Sequence, residues 1–181
     1  VRIPMIVYDP DPAADATRGT ANDLLVEAID LAPSFVEFAG GTVPEHIIEG
    51  QSLLRLTRAE GSITADEWRS AAISECDYAF RNARLQLGRN PSDSRAYMVR
   101  TDRWKYVFYE GFRPQLFDLA EDPDELVDRG EEPALEEVRE LLRERLFDWI
   151  RTRKMRTTLS DAEVEMRTDT HKTRGIYFGV W

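Results

Sequence analysis

The chain has 181 residues, of which 42% are hydrophobic and 10% aromatic, so it can bury one ordinary core and is not a disordered chain. Its net charge of −10 argues against general nucleic-acid binding, which requires a basic surface that displaces counterions from phosphates. The single cysteine excludes an internal disulfide and a multi-cysteine zinc site, and no apolar run approaches the roughly 20 residues that cross a bilayer. We therefore expect no nucleic-acid partner, no membrane partner and a cytoplasmic location.

The first elements along the chain predict the edge of a larger α/β sheet. Residues 2–8 (RIPMIVY) are β-branched and apolar and stop at a double Asp-Pro turn, a pattern typical of a buried strand. Residues 24–29 predict a second short strand, followed by Asp30 as the N-cap of a helix over residues 31–39. Because the chain begins without Met and inside an expected strand, we interpret its N-terminus as a cut.

The middle of the chain predicts a small antiparallel sheet. Residues 96–100 and 104–109 are rich in aromatic and β-branched side chains and flank a polar turn, which is typical of a hairpin. Further strands are predicted at residues 68–74 and 115–119, and a short helix at residues 77–87 that ends at Gly88.

The strongest helical pattern starts at Pro133, a residue type favoured at the first helical position. Its apolar residues recur at steps of three and four and form one stripe: Leu135, Val138, Leu142, Leu146 and Trp149. We expect this helix to cover the antiparallel sheet. A short helix from Ser160 and an aromatic tail, residues 177–181, follow it.

Together these elements predict an α/β fold whose C-terminal part is α+β. We divide the chain into the edge of an α/β domain (residues 1–66), a sheet-and-helix subdomain (residues 67–153) and a C-terminal arm (residues 154–181). The arm has few apolar residues before its final aromatic cluster, which must be buried somewhere. The cluster packs either on its own domain or on a neighbouring subunit, and the sequence leaves both alternatives open.

Few residues have the chemistry of an active site. The two histidines, His46 and His171, lie in polar segments with no neighbours at metal-ligand spacing, which favours solvent-exposed positions. Cys76 stands next to acidic residues, and negative charge raises a thiol pKa instead of activating the thiol, so an inert side chain is favoured. No catalytic triad can be assembled from these residues.

Two charged runs could bind ions. The acidic run consists of Asp118, Glu121, Asp122, Asp124 and Glu125. It lacks the alternating donors of a calcium loop, and Asp-Pro turns with solvated charge explain it more simply. The basic run from Arg143 to Arg156 shares its helix with acidic residues and is expected to form solvated pairs. We therefore predict no catalytic and no metal-binding residue, and the sequence identifies no substrate-binding residue.

Several segments resemble the sulfatase branch of the alkaline phosphatase superfamily. VRIPMIVYDP resembles the strand that follows the last metal-binding Asp-His pair of those enzymes. VEAIDLAPSFVEFAG resembles their V-D-x-x-P-T segment and the helix after it, with Ser34 in place of the common Thr. EGQSLL resembles their G-x-S-L, and RWKYVFYEGFRPQLFDLAEDPDE resembles their C-terminal hairpin and Leu-Phe-Asp-Leu element. The closing segments look most like phosphonate monoester hydrolases and arylsulfatases.

The resemblance implies an alkaline-phosphatase-like sheet and the hydrolysis of sulfate, phosphate or phosphonate esters. The family uses a formylglycine, made from the Cys or Ser of a C/S-x-P/A-x-R motif, beside a divalent metal. Here Cys76 is followed by Asp-Tyr-Ala-Phe, so no catalytic residue can be carried over. The formylglycine and the metal are expected in a missing N-terminal part.

The resemblance also implies two partners. One is the N-terminal catalytic domain of the same enzyme, and the other is a further copy of the chain, bound through the C-terminal arm. The alternative function is a non-enzymatic interaction or oligomerisation module, motivated by the lack of site residues and by the aromatic tail.

Overall fold

The computed structural model describes residues 4–59, 63–154, 158–168 and 170. The chain divides into two units. We call Val1–Ala28 with Leu54–Thr152 the sheet unit, and Ile29–Leu53 with Arg153–Trp181 the helical unit. The three-part division at residues 66 and 153 stays a prediction.

The described residues form five α-helices, four strands and four 3-10 turns. The helices are α1 (Leu31–Phe38), α2 (Leu54–Thr57), α3 (Asn82–Gln86), α4 (Glu136–Thr152) and α5 (Asp161–Arg167). The strands are β1 (Ala72–Asp77), β2 (Arg95–Arg100), β3 (Trp104–Tyr109) and β4 (Gln115–Asp118). The 3-10 turns are Pro12–Thr17, Ala28–Asp30, Pro91–Asp93 and Pro133–Leu135. None of the helices in this part of the chain is long and apolar enough to cross a membrane.

The four strands form one antiparallel sheet in the order β1-β2-β3-β4. Alternate residues of a strand point to the same face, and the register places Val99 opposite Tyr106 and Tyr106 opposite Leu116. These side chains pack against Leu142 and Leu146 of α4 and are almost completely buried. The predicted antiparallel sheet under a long helix is therefore confirmed.

The strands predicted near the N-terminus do not form in the described residues. Residues 4–8 and 24–27 have irregular backbone, and Ala28–Asp30 is a 3-10 turn. A strand requires a neighbouring backbone that accepts and donates its hydrogen bonds, and these segments join no ladder of the sheet. Residues 24–27 are instead held by side chains: Leu25 O accepts from Trp68 Nε1 at 2.9 Å, and Glu27 Oε1 accepts from Ile73 N at 2.6 Å.

Two predicted boundaries in the middle of the chain were also wrong. β1 begins at Ala72 because Trp68 lies in a turn, where its amide donates to Thr64 O. Of the helix predicted at residues 77–87, only α3 (Asn82–Gln86) is helical, because Asp77 ends β1 and Tyr78 N donates to Ser94 O beside β2. The strand order makes β1 an edge strand, and the side chains of Glu75 and Asp77 on it are exposed.

The two helices predicted after the sheet are both present. α4 follows the 3-10 turn that begins at Pro133, and α5 begins after Ser160. Ser160 and Glu163 form a capping box, in which each side chain accepts a hydrogen bond from the other residue's backbone N–H. The aromatic tail, residues 177–181, lies outside the described residues.

Candidate functional site

Two sequence segments that resemble sulfatases meet in the helical unit. Ser34 Oγ, in the first turn of α1, donates to Asp30 O at 2.5 Å and accepts from Leu53 N at 2.8 Å. Asp30 Oδ1 accepts from Gln51 N at 2.8 Å. We call Asp30, Ser34 and residues 50–53 the motif junction. Its hydrogen bonds attach the loop before α2 to the start of α1.

The position of Asp30 is as predicted, but its side chain has another role. Asp30 precedes α1, yet its carboxylate does not cap the helix, because its backbone is already helical and the side chain points towards Gln51. An N-cap residue needs extended backbone for its side chain to reach the first-turn amides. Asp30 is completely buried, so its carboxylate holds the motif junction from inside.

Gly50 is required for this close approach. A Cβ at position 50 would overlap the carbonyl oxygen of Ile29, which cannot move without displacing the backbone before α1. The glycine and serine of the G-x-S-L segment therefore have different roles: Gly50 permits contact between two backbones, while Ser52 is a buried polar residue beside it. The hydroxyl kept at position 34 explains why Ser can replace Thr in this segment.

A buried ion pair anchors the end of the N-terminal segment in the sheet unit. Asp9 Oδ2 accepts from Arg58 Nε at 2.6 Å, and Asp9 Oδ1 accepts from Arg58 Nη2 at 3.2 Å. Thr57 Oγ1 and the amide of Asp11 also donate to this carboxylate. The Arg58 guanidinium holds the pKa of Asp9 at about 2, below its ordinary value of 3.8, despite the opposing effect of desolvation.

A second buried carboxylate closes the end of β4. Asp118 is completely buried, and Arg103 donates to it from Nε at 3.2 Å and from Nη2 at 2.8 Å. The amide of Ala120 donates to Asp118 Oδ1 at 3.2 Å. The hydrogen bond from Arg103 lowers the pKa of Asp118 although burial opposes that shift. Asp118 thus ties the turn before β3 to the turn after β4.

The rest of the acidic run is used in turns and pairs. Asp122 Oδ2 accepts from Val127 N at 2.8 Å, and Glu125 pairs with Lys105. Glu121 lies 3.5 Å from Arg129 Nη1 and is exposed. These three carboxylates thus belong to turns and ion pairs, whereas the interpretation as solvated charge was wrong for Asp118, which is buried.

Asp128, just beyond this run, has a similar structural role. Burial raises the pKa of Asp128, but the amides of Gly130 and Leu116 and the guanidinium of Arg113 outweigh it, so that the net shift is downwards. Its Oδ1 accepts from Gly130 N at 2.9 Å, and its Oδ2 pairs with Arg113 at 2.9 Å. The carboxylate holds the loop after β4 against the strand.

The remaining candidate residues are the two histidines and the cysteine. His46 lies half-buried in a turn of the helical unit, where its charge contributes to lowering the pKa of Glu163, after the larger effect of the Ser160 hydrogen bonds. Cys76 is a free, exposed thiol on β1. His171 lies outside the described residues. The two of these that the structure describes belong to different units.

The basic run forms surface pairs, as predicted. Arg143 pairs with Glu140 at 2.8 Å and Arg151 pairs with Asp148, both one turn away on α4. Arg145 donates to the hydroxyl of Ser70. Lys154 Nζ donates to Ile48 O at 2.8 Å within the helical unit. Arg156 lies outside the described residues.

The described residues do not fit a metal centre. Among them, no group of three or more His, Cys, Asp and Glu side chains is placed to hold a metal ion. The buried carboxylates of Asp9 and Asp118 accept from arginine and backbone N–H groups, so the oxygen atoms that a cation would need are already used. We derive no catalytic step through a metal or a formylglycine in this chain.

The fold and these contacts define a C-terminal sulfatase-type domain: a four-stranded antiparallel sheet under one long helix, with conspicuous charged residues that hold loops in place. The chain belongs to the family described as "N-sulphoglucosamine sulphohydrolase, C-terminal", whose sequence model matches residues 1–152. The resemblance to sulfatases and phosphonate monoester hydrolases is therefore confirmed.

Curated relatives agree with this assignment. Arylsulfatase K of Xenopus laevis is 32% identical over 144 residues, which cover 77% of this chain and 24% of the relative. The multifunctional alkaline phosphatase superfamily protein PehA of Trinickia caryophylli is 28% identical over 136 residues, which cover 74% of this chain and 25% of the relative.

A solved structure supports the fold. The phosphonate monoester hydrolase of Agrobacterium radiobacter superimposes with a TM-score of 0.62 at 27% identity, over 72% of this chain and 26% of that enzyme. The similarity confirms the alkaline-phosphatase-like fold class. The matched part of this chain corresponds to about a quarter of the length of these relatives.

Proposed function

We propose that this chain is the C-terminal scaffold of a metal-dependent hydrolase of sulfuric, phosphonic or phosphoric esters, without a nucleophile or metal ligand of its own. The family membership and the names of the relatives support this class of reaction. In such an enzyme the catalytic domain supplies the formylglycine and the divalent metal, which activate and neutralise the anionic ester. The residues described above contribute by holding loops and strands in fixed positions.

One observation carries the proposal: an apolar segment at the start of the chain is exposed. Met5, Ile6, Val7 and Tyr8 all present large apolar surfaces, and Ile6 is 92% exposed. Such a segment is expected to be covered in the working protein, because consecutive exposed apolar residues mark interaction surfaces. Its backbone belongs to no ladder of the sheet and could therefore add as a strand to another sheet. We infer that the catalytic domain of the same enzyme provides that sheet.

The helical unit has an exposed apolar face of its own. On α1, Pro33 and Ser34 are buried, whereas Phe35 and Phe38 are 67% and 58% exposed. These two phenylalanines lie three residues apart and therefore share one side of the helix. We infer that this side also contacts the catalytic domain.

A charge in the N-terminal segment tests the docking. We expect Ile6→Asp to leave the fold of the separate chain unchanged, because the side chain is already in water. In the full-length enzyme, the same substitution should lower both stability and ester turnover, because a carboxylate would be buried without a partner. Circular dichroism of the chain and arylsulfatase or phosphonate esterase assays of the enzyme measure these effects.

Leu141→Asp is the matched control, since Leu141 is 66% exposed on α4. Full-length enzyme that tolerates Ile6→Asp as well as Leu141→Asp would contradict the docking. The reading of the chain as part of a hydrolase has a separate test. The encoding gene should carry a C/S-x-P/A-x-R motif and an Asp-His pair upstream of Val1, and the absence of both would end it.

The other proposed partner is a further copy of the chain, bound through the C-terminal arm. This proposal rests on the sequence of the tail, whose residues Tyr177 to Trp181 include three aromatic side chains. Removal of residues 177–181 should dissociate the assembly in sedimentation experiments. An unchanged mass would favour packing of the tail on its own domain.

The cytoplasm remains the proposed location. It is supported by the single, free and exposed Cys76, which is compatible with a reducing compartment. Fractionation of the source cells with an antibody against the chain would test it, and recovery from an extracellular fraction would contradict it.

A further inference from the structure

The sheet unit carries two loops of opposite charge. The basic loop, residues 78–94 between β1 and β2, contains three arginines, Arg81, Arg84 and Arg89, and one acidic residue, Asp93. The acidic loop, residues 119–132, contains seven acidic residues and one arginine. In a chain with a net charge of −10, a loop of this length with a net positive charge stands out. Arg84 and Arg89 donate to carbonyl oxygens, and those bonds leave their positive charge uncompensated.

Both loops also expose large apolar side chains. Phe80 is fully exposed at the start of the basic loop, and Leu85 and Leu87 are exposed after it. In the acidic loop Leu126 is 81% exposed, with Val127 beside it. Apolar side chains surrounded mainly by charges of one sign are typical of a recognition surface and not of a solvated loop.

The turn between β3 and β4 joins the two loops. On one side, Arg89 Nη2 donates to Glu110 O at 2.6 Å, and its guanidinium lies against Gly111. On the other side, Arg113 pairs with Asp128 at 2.9 Å and lies 3.7 Å from Glu131. Phe112, between these contacts, is exposed. The two loops and residues 110–113 thus form a continuous surface, which we call the bipolar strip, basic at one end and acidic at the other.

We propose that the bipolar strip binds the same strip on a second copy of the chain, related by a two-fold axis. In an antiparallel arrangement, the basic loop of each copy faces the acidic loop of the other, so that every charge contact is made twice. The exposed apolar residues then lie between the charged ends, where they lose contact with water. This arrangement follows from the charge of the strip itself, since its two ends complement each other.

A second copy fits this surface better than a polyanion or a basic partner does. A polyanion would satisfy the basic loop but would be repelled by the other loop, whose seven acidic residues outnumber the cations Lys105, Arg113 and Arg129 that pair with them. A basic partner would meet the reverse problem. Only a surface with both charges in the opposite order satisfies the whole strip. The inference uses none of the C-terminal tail and does not depend on the ester-hydrolase activity.

Sedimentation equilibrium of the 181-residue chain tests the proposal. We expect twice the chain mass at micromolar concentrations in moderate salt, and weaker association in high salt because exposed charges are screened. Arg81→Glu should weaken the dimer about tenfold or more, since it places like charges opposite each other. Asp124→Lys combined with Glu131→Lys should do the same. All three side chains are exposed, so the fold should be kept.

Mixing provides the decisive experiment. Arg81→Glu and Asp124→Lys/Glu131→Lys should each be monomeric alone but form a heterodimer together. In the heterodimer one charge contact joins two unaltered loops, and the other joins two loops of reversed charge, so both contacts are attractive. Asp23→Lys combined with Asp66→Lys, on exposed residues outside the strip, is the matched control and should remain dimeric.

Three results would overturn the proposal. The first is a wild-type chain that is monomeric at about 100 μM, a concentration that detects even weak specific interfaces. The second is a dimer that persists in both charge-reversal variants. The third is a dimer that is lost on removal of residues 177–181 while the strip variants leave it intact, which would assign the assembly to the tail.

Discussion

The inner face of the sheet and residues 4–8 differ in exposure far more than in composition. Val99 and Leu116 have no exposed surface, because α4 and neighbouring strands cover them. Met5, Ile6, Val7 and Tyr8 have equally apolar side chains, yet nothing comparable covers them in the described residues. The difference teaches that an apolar segment needs other apolar groups to cover it. The sheet is covered by residues of the same chain, whereas the described part of the chain leaves residues 4–8 exposed.

The largest expected effect contrasts these regions directly. Leu146→Ala, in the buried face of α4, should lower the free energy of unfolding by about 3 to 5 kcal/mol, because it removes buried methyl groups and leaves a cavity. Ile6→Ala should change it by less than about 0.5 kcal/mol in the separate chain. Urea unfolding measures both. Similar losses at the two positions would mean that residues 4–8 pack within the chain.

The same contrast holds for charges in the sheet unit. Asp118→Asn removes a buried negative charge that Arg103 and Ala120 hold by hydrogen bonds, and should cost roughly 2 kcal/mol. Glu121→Gln, three residues away, should cost less than about 0.5 kcal/mol because this carboxylate is exposed. If the two variants unfold at the same urea concentration, the buried pair contributes no more than a surface pair.

The motif junction gives a smaller effect in the helical unit. Ser34→Ala would leave the Leu53 amide without its acceptor and should destabilise this unit by about 1 to 2 kcal/mol. Ser34→Thr keeps the hydroxyl and should destabilise the unit much less than Ser34→Ala does. Hydrogen exchange of the Leu53 amide reports the change locally. Unaltered protection of the Leu53 amide in Ser34→Ala would contradict the role of the serine hydroxyl in the motif junction.

The last expected effect depends on pH and concerns Asp9, where the exposed segment ends. The folded pKa of Asp9 is about 2, below the ordinary 3.8, so its ionised form favours the fold. That contribution is complete above about pH 4 and is lost as the pH falls towards 2. Thermal melting of wild type and Asp9→Asn should therefore differ at neutral pH and converge in acid. A constant difference between the two across this range would contradict the assignment.

Local patterns in the sequence predicted the sheet-and-helix part well. The hairpin of β2 and β3 and the apolar stripe of α4 depend on residues close together in the chain. The prediction of strands at residues 2–8 and 24–29 was wrong for their described parts, because composition does not reveal whether another strand is available to pair with them. The same limit applies to α3, where the ladder contact of Tyr78 with Ser94 overrides the helical pattern.

The charged residues were harder to predict than the fold. Asp118 lies two residues after Leu116 on β4, so strand periodicity places both on the same buried face, and this signal could have been used. No comparable signal exists for Asp9 and Arg58, which are 49 residues apart and meet only in the folded chain. The hydroxyl of Ser34 could be recognised as a required group, but its acceptor role towards Leu53 could not.

The position of β1 at the border of the sheet affects what can pair with the domain. An edge strand offers its backbone to any other extended chain, and charged side chains on it are a common defence against such growth. Here Glu75 and Asp77 place two exposed carboxylates along six residues, so a second β1 laid alongside would be repelled. The charges on β1 therefore hinder the growth of this sheet by addition of another copy of the same strand.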